Sequence, residues 1–165
     1  RNILMIRAYE LMGRPVITID EGAIVGQTAG VIIDTASTDV AALIVNVASR
    51  FAPPKAVPYA LIQGIGDDAV IIENASSLAD FGAVPEILDM GRPDSEIRGV
   101  RAITRTGRLL GTVADLMIDL DAGKVVAYEI QSGVDTALLV RAEQVITVGK
   151  QALITTAEAC AHLSE

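Results

Sequence analysis

Aromatic side chains are nearly missing from this chain: its 165 residues include no Trp, two Phe and three Tyr. The core must therefore come from Ile, Val, Leu and Ala. With hydrophobic residues at 51% of the chain, that composition suits strands packed on both faces. Cysteine is present only as Cys160 and histidine only as His162. A lone cysteine excludes an internal disulfide framework and fits a reducing compartment, so a cytoplasmic location is expected. At i, i+2 on a terminal helix these two side chains would point to different faces and could not act as nucleophile and base for each other. No Ser or Cys occupies a nucleophile elbow. Long apolar runs are lacking too. The longest, Val40-Ala41-Ala42-Leu43-Ile44-Val45, is far short of the roughly 20 residues a membrane-spanning helix needs. The start carries no signal-peptide pattern, and it opens on Arg1 rather than Met, which leaves room for a segment upstream.

Positive charge is also scarce. The net charge is −8, and it is unevenly shared: residues 1–90 carry five Lys/Arg and eleven Asp/Glu, residues 91–165 eight and ten. An acidic chain is repelled by phosphate backbones, which disfavours sequence-independent nucleic-acid binding. The exception is local. Arg98, Arg101, Arg105 and Arg108 fall close together in the second half. They form either one basic edge or a solvated strand face whose arginines pair with nearby acids.

What the chain does have is a repeat. Glu10-Leu11-Met12-Gly13-Arg14-Pro15-Val16-Ile17-Thr18 recurs as Glu96-Ile97-Arg98-Gly99-Val100-Arg101-Ala102-Ile103-Thr104. Gly22 and Gly26 followed by Ile33-Asp34 recur as Gly107 and Gly111 followed by Ile118-Asp119. A period of about 85 residues means one small module duplicated, not a solenoid of short repeats. Each half is near the lower size limit for independent folding, so the halves are expected to bury surface against each other or a second copy. Turn signals divide the first half into strands near 15–19, 24–33 and 40–47, a short one beginning at Val57, and two near 61–65 and 69–73. They divide the second near 101–105, 109–118, 124–131, 137–141, 144–148 and 152–156. Glycines inside the long second strand mark a bulge or sharp barrel corner. The expected organisation is a first barrel over 1–76, a linker with partial helix over 77–93, and a second barrel over 94–165 ending in a helix at 155–163.

The repeated pattern resembles the PRC-barrel family, a small β-barrel module also found in the photosynthetic reaction-centre H subunit and in a ribosome-maturation factor. The matching residues of the first copy are Leu11, Gly13, Val16, Gly22, Gly26, Ile33, Asp34, Pro58, Tyr59, Ile62 and Gly66. Those of the second are Ile97, Gly99, Ala102, Gly107, Gly111, Ile118, Asp119, Val145 and Gly149. The resemblance implies a mainly β fold of two tandem six-stranded PRC-type barrels with short helical flanking and linker segments. Gly13, Gly22, Gly26, Asp34, Gly99, Gly107, Gly111 and Asp119 would be its fold-determining residues. It also implies a module for docking and assembly, not catalysis. The second copy departs from the pattern with Arg141-Ala142 in place of Pro58-Tyr59. No segment matches the membrane helix of the H subunit, so membrane residence is not carried over.

Other candidate chemistry is thin. Gly64-Ile65-Gly66-Asp67-Asp68-Ala69 looks like a dinucleotide fingerprint, but a strand and not a helix follows it, so it reads as a β-turn. Asp34, Asp39, Asp67, Asp68, Asp119 and Asp121 lie on turns, where carboxylates bond their own backbone two residues on. No loop has calcium-ligand spacing. Neither a metal nor a cofactor is expected. The apolar pieces Ile3-Leu4-Met5-Ile6 and Phe81, Val84, Ile87, Leu88, Met90 either cap the barrels or meet a partner. The leading expectation is a non-enzymatic protein-interaction or scaffold module that self-associates or binds a protein partner. Its candidate surface is Phe51, Pro53, Pro54, Tyr59, Arg98, Arg101, Arg105 and Arg108. One alternative is an RNA- or ribosome-associated accessory factor using the basic edge of the second barrel. Another is a binder of small molecules or metals between the barrels.

Overall fold

A computed structural model describes residues 5–49, 51–80, 91–159 and 162–163, the last two by backbone only. The first copy contributes β2 (Pro15–Thr18), β3 (Ile24–Ile33), β4 (Val40–Val47), β5 (Lys55–Pro58), β6 (Ile62–Ile65) and β7 (Val70–Ile72). The second contributes β10 (Arg101–Thr104), β11 (Leu109–Asp119), β12 (Lys124–Gln131), β13 (Ala137–Arg141), β14 (Val145–Val148) and β15 (Ala152–Thr155). Each set curls in the same order, β6-β7-β2-β3-β4-β5 and β14-β15-β10-β11-β12-β13, with β2–β7 and β10–β15 as the parallel pairs.

Local chemistry explains the shared path. Asp34 accepts from the backbone N–H groups of Ala36 (3.0 Å) and Ser37 (3.3 Å), and Asp119 accepts from Asp121 (3.0 Å) and Ala122 (3.1 Å). Each aspartate thus caps the turn into the next strand. Gly111 (φ +151°) lies so close to β12 that a Cβ would stand 2.9 Å from the Ile130 side chain and collide with the Gln131 carbonyl. At the equivalent Gly26 a Cβ would meet Val45 at 2.7 Å and the Asn46 carbonyl. Glycine is what permits this approach at the bulged corner.

Two further strands complete each sheet. At the chain ends of the modules, β8 (Ala79–Asp80) pairs with β5, and β16 (His162–Leu163) pairs with β13. The helix expected over 155–163 is therefore corrected: Thr155 closes β15, a turn follows, and the chain returns as β16. The open edge of β13 offers backbone partners, and that pairing outweighs local helix propensity. Cys160 lies outside the described residues, as do the apolar residues Ile3, Leu4, Phe81, Val84, Ile87, Leu88 and Met90.

The other two strands are exchanged. β1 (Met5–Arg7) precedes the first barrel but pairs with β11 of the second, Ile6 opposite Ile118 and Arg7 opposite Met117. β9 (Arg92–Pro93) precedes the second barrel but pairs with β3 of the first, Arg92 opposite Ile33 and Pro93 opposite Ile32. Ile6 and Arg92 are equivalent in the repeat, as are Ile118 and Ile33, so each module lends its leading strand to the other in the same register. A short helix, α1 (Asp94–Ile97), follows β9 where a 3₁₀ turn over Ala8–Leu11 follows β1. One continuous apolar core results, with Leu11, Val16, Ile33, Leu43 and Ile72 joined to Ile97, Leu116, Ile118, Tyr128 and Leu153.

Candidate interaction surfaces

The junction between the barrels is built around an approximate two-fold axis. Asp39 and Lys124, equivalent in the repeat, face each other in an antiparallel bridge and form an ion pair at 2.8 Å. On either side Val40 N–H donates to the Gly123 carbonyl (2.8 Å) and Val125 N–H to that of Thr38 (2.9 Å). The Lys124 ammonium, with help from the Ser37 hydroxyl, holds the Asp39 carboxyl below its ordinary value. Arg7 reaches across to Glu129 at 3.0 Å, which raises the guanidinium's own pKa.

The axis also carries an unequal pair of carboxylates. The bulge in β3 leaves the Val31 N–H facing inward, and buried Asp94 of α1 accepts it at 3.0 Å. The matching bulge in β11 presents the Leu116 N–H, which Asp115 accepts at 2.8 Å from within the same strand. The residue equivalent to Asp115 is Gly30, where a Cβ would lie 2.9 Å from the Asp94 carboxylate; the one equivalent to Asp94 is Ala8. Each bulge thus receives one carboxylate, one from a lent segment and one from the strand itself. Arg98 lies between them, 2.6 Å from Asp94 and 3.7 Å from Asp115. Burial pushes the Asp115 carboxyl above its ordinary value, outweighing its backbone hydrogen bonds and Arg98.

The residues singled out in the sequence are therefore distributed over distinct environments. Tyr59, half-buried, donates its hydroxyl to the Leu120 carbonyl of the other barrel at 2.6 Å and packs its ring on Gly123; burial raises its pKa. A groove of about 300 Å³ opens beside it, lined by Ile62, Gln63, Ile65, Leu120 and Asp121. Phe51, Pro53 and Pro54 are exposed in the loop between β4 and β5. Arg98 points inward to the carboxylates, so the four arginines do not share one edge. Arg101 lies on the outward side of β10, Arg105 in the turn directly after it, and Arg108 just before β11; all three are exposed. Among the described residues no group of three or more His, Cys, Asp or Glu could hold a metal ion.

The outer face of each barrel carries a feature that inspection of the sequence missed. Ile71, Ile17 and Ile24 stand in register across β7, β2 and β3, on the side opposite the buried Val16, Thr18, Val70 and Ile72. Ile154, Ile103 and Leu109 repeat the row across β15, β10 and β11. Ile24 is 64% exposed and Leu109 60%. Leu61 and Ile146, at different positions of the repeat, are 45% and 51% exposed. These side chains read as core in a sequence because only pairing register tells the outer face from the inner.

No helix among the described residues is long and apolar enough to cross a membrane. No curated protein matches the chain. The family model of the PRC-barrel domain matches residues 4–79 and again residues 91–159. Each match starts beside a lent strand, so the family unit includes the segment it gives away. With two in-order matches, the curled sheets and the repeated glycine corners, the chain belongs to the PRC-barrel domain family as a tandem pair.

Proposed function

We propose that this chain is a non-enzymatic interaction module that self-associates and acts as a scaffold. The observation that carries this reading is the pair of outward aliphatic rows. Both copies place large aliphatic side chains at the same outward positions: Ile24 and Leu109 are exposed, and the pairs Ile17 and Ile103, Ile71 and Ile154 are half-buried. Barrel closure does not require apolar residues there, since the core lies on the other side of the strands. Clustered aliphatic residues on a water-facing sheet favour contact with another protein surface. The RNA-associated alternative is weaker. Arg98 is engaged with Asp94 and Asp115, and the remaining arginines border an aliphatic row that offers no aromatic platform for stacking bases.

Sedimentation velocity of the intact chain across a hundred-fold concentration range tests the proposal. The weight-average mass is expected to rise with concentration; a single-chain mass throughout would overturn it.

A further inference from the structure

The two outward rows are alike in shape and opposite in charge. Around Ile71-Ile17-Ile24, the turn after β2 carries exposed Asp20 and Glu21, Glu73 follows β7, and the turn before β7 carries Asp67 and Asp68. The Asp20 N–H bonds the Glu73 carbonyl, which joins those acids at one end of the row. Arg14, near the other end, donates to the Gly66 carbonyl. Around Ile154-Ile103-Leu109 the equivalent positions are basic or neutral. Arg101 stands where the first copy has Pro15, Arg105 where it has Ile19, Arg108 where it has Ala23, and Lys150 where it has Asp67. All four are exposed.

Building on the self-association reading, we propose that the acidic-rimmed row of the first barrel docks onto the basic-rimmed row of the second barrel in another copy of this chain. Charge complementarity selects this pairing. First barrel against first barrel would set Asp20, Glu21 and Glu73 against themselves. Second against second would do the same to Arg101, Arg105 and Arg108. Like charges brought together across an interface suppress such pairings. Ile24 and Leu109 are both open in a single chain, so the two rows do not cover each other intramolecularly. The contact is therefore head-to-tail, and it leaves one free row of each kind on every dimer. Assembly continues into a ring or a filament, depending on the rotation between successive copies.

Two full-length variants decide the matter. Ile24→Asp disables the first row and Leu109→Asp the second; both sites are exposed, and circular dichroism verifies that each variant is folded. Each variant alone is expected to be monomeric. An equimolar mixture is expected to stop at the mass of two chains, since only one productive contact can form. Raising NaCl from 50 to 500 mM is expected to weaken wild-type association by about ten-fold or more, because the rims are solvent-exposed. A variant that still dimerises alone overturns the head-to-tail pairing. Wild-type association that both variants leave unchanged overturns this surface while self-association stands. A wild-type chain that is monomeric at all concentrations overturns both.

Discussion

Asp94→Ala should cost about 3 kcal/mol of stability, and a second substitution should recover most of it. Asp94 is 1% exposed and provides the acceptor for the Val31 N–H at 3.0 Å. Leaving that buried donor unsatisfied costs about 1–3 kcal/mol. Arg98 loses its 2.6 Å partner but keeps Asp115 at 3.7 Å and has a 30% exposed side chain, so that loss adds about 1 kcal/mol and not the full cost of a broken buried pair. Gly30→Asp alone should be about as harmful, because its Cβ would stand 2.9 Å from the Asp94 carboxylate and its charge would face another. Combined, the two changes reproduce in the first barrel the arrangement that Ala8 and Asp115 already form in the second. The double variant is expected within about 1.5 kcal/mol of wild type, where simple addition would give roughly 6. Urea unfolding of the four proteins gives the coupling, and amide exchange at Val31 reports whether the bulge donor is satisfied again. Additive losses would refute the idea that the two bulges are served by interchangeable carboxylates.

Three further outcomes follow from the same structure. Tyr128 is buried, its hydroxyl has no partner among the described residues, and burial pushes its pKa up to about 12. Tyr128→Phe should therefore leave the unfolding free energy equal or up to about 1 kcal/mol higher, and a clear loss in thermal denaturation would mean that the hydroxyl is bonded. Because Asp115 titrates above its ordinary value, the folded state binds its proton more readily than the unfolded state does. Acidification through that window therefore stabilises the fold through this group. Relative to Asp115→Asn, which keeps an oxygen for the Leu116 N–H, wild type should gain stability as the pH falls from neutral toward the ordinary aspartate range; a gap that stays constant with pH would contradict this. Lys124→Asp puts two carboxylates across the axial bridge and should cost about 1 kcal/mol, with Asp39→Lys in the same chain restoring it. Failure of that reversal to rescue in chemical denaturation would show that the pair does not couple.

Much of the barrel was legible because its causes are local. Asp34 and Asp119 cap turns through their own neighbouring N–H groups, and Gly26 and Gly111 mark corners where a backbone passes too close for a Cβ. Those signals lie within a few residues, and the repeat displays them twice. The exchange of β1 and β9 was not legible, since strands of three and two residues carry no periodicity and their partners lie in the other half. Terminal residues such as Ala157, Glu158 and Ala159 favour a helix locally, yet the free edge of β13 recruits the chain end as a strand. Tyr59 was singled out where the second copy has Ala142, and Arg98, among four clustered arginines, stands where the first copy has Met12. That difference does mark a role, but for these two the role lies inside the molecule, against Leu120, Gly123 and the two carboxylates. The outward rows escaped notice for the opposite reason. Ile17 and Ile103 agree between the copies, and agreement among aliphatic residues reads as core.

The lending of leading strands also sets the order in which the protein can fold during synthesis. Met5–Arg7 is made before the rest of the first barrel, but its partner strand, ending at Asp119, is made only after that whole barrel and most of β11. The first barrel in turn waits for Arg92 and Pro93 before β3 gains its extra neighbour. Closing so long a loop is entropically costly and slow, which places this chain among proteins whose folding rate is limited by distant contacts. Until the second module is complete, the first carries an unpaired strand at its own N-terminal end and an open edge on β3. Strand edges left open in a nascent chain are sites where a neighbour on the same polysome can pair.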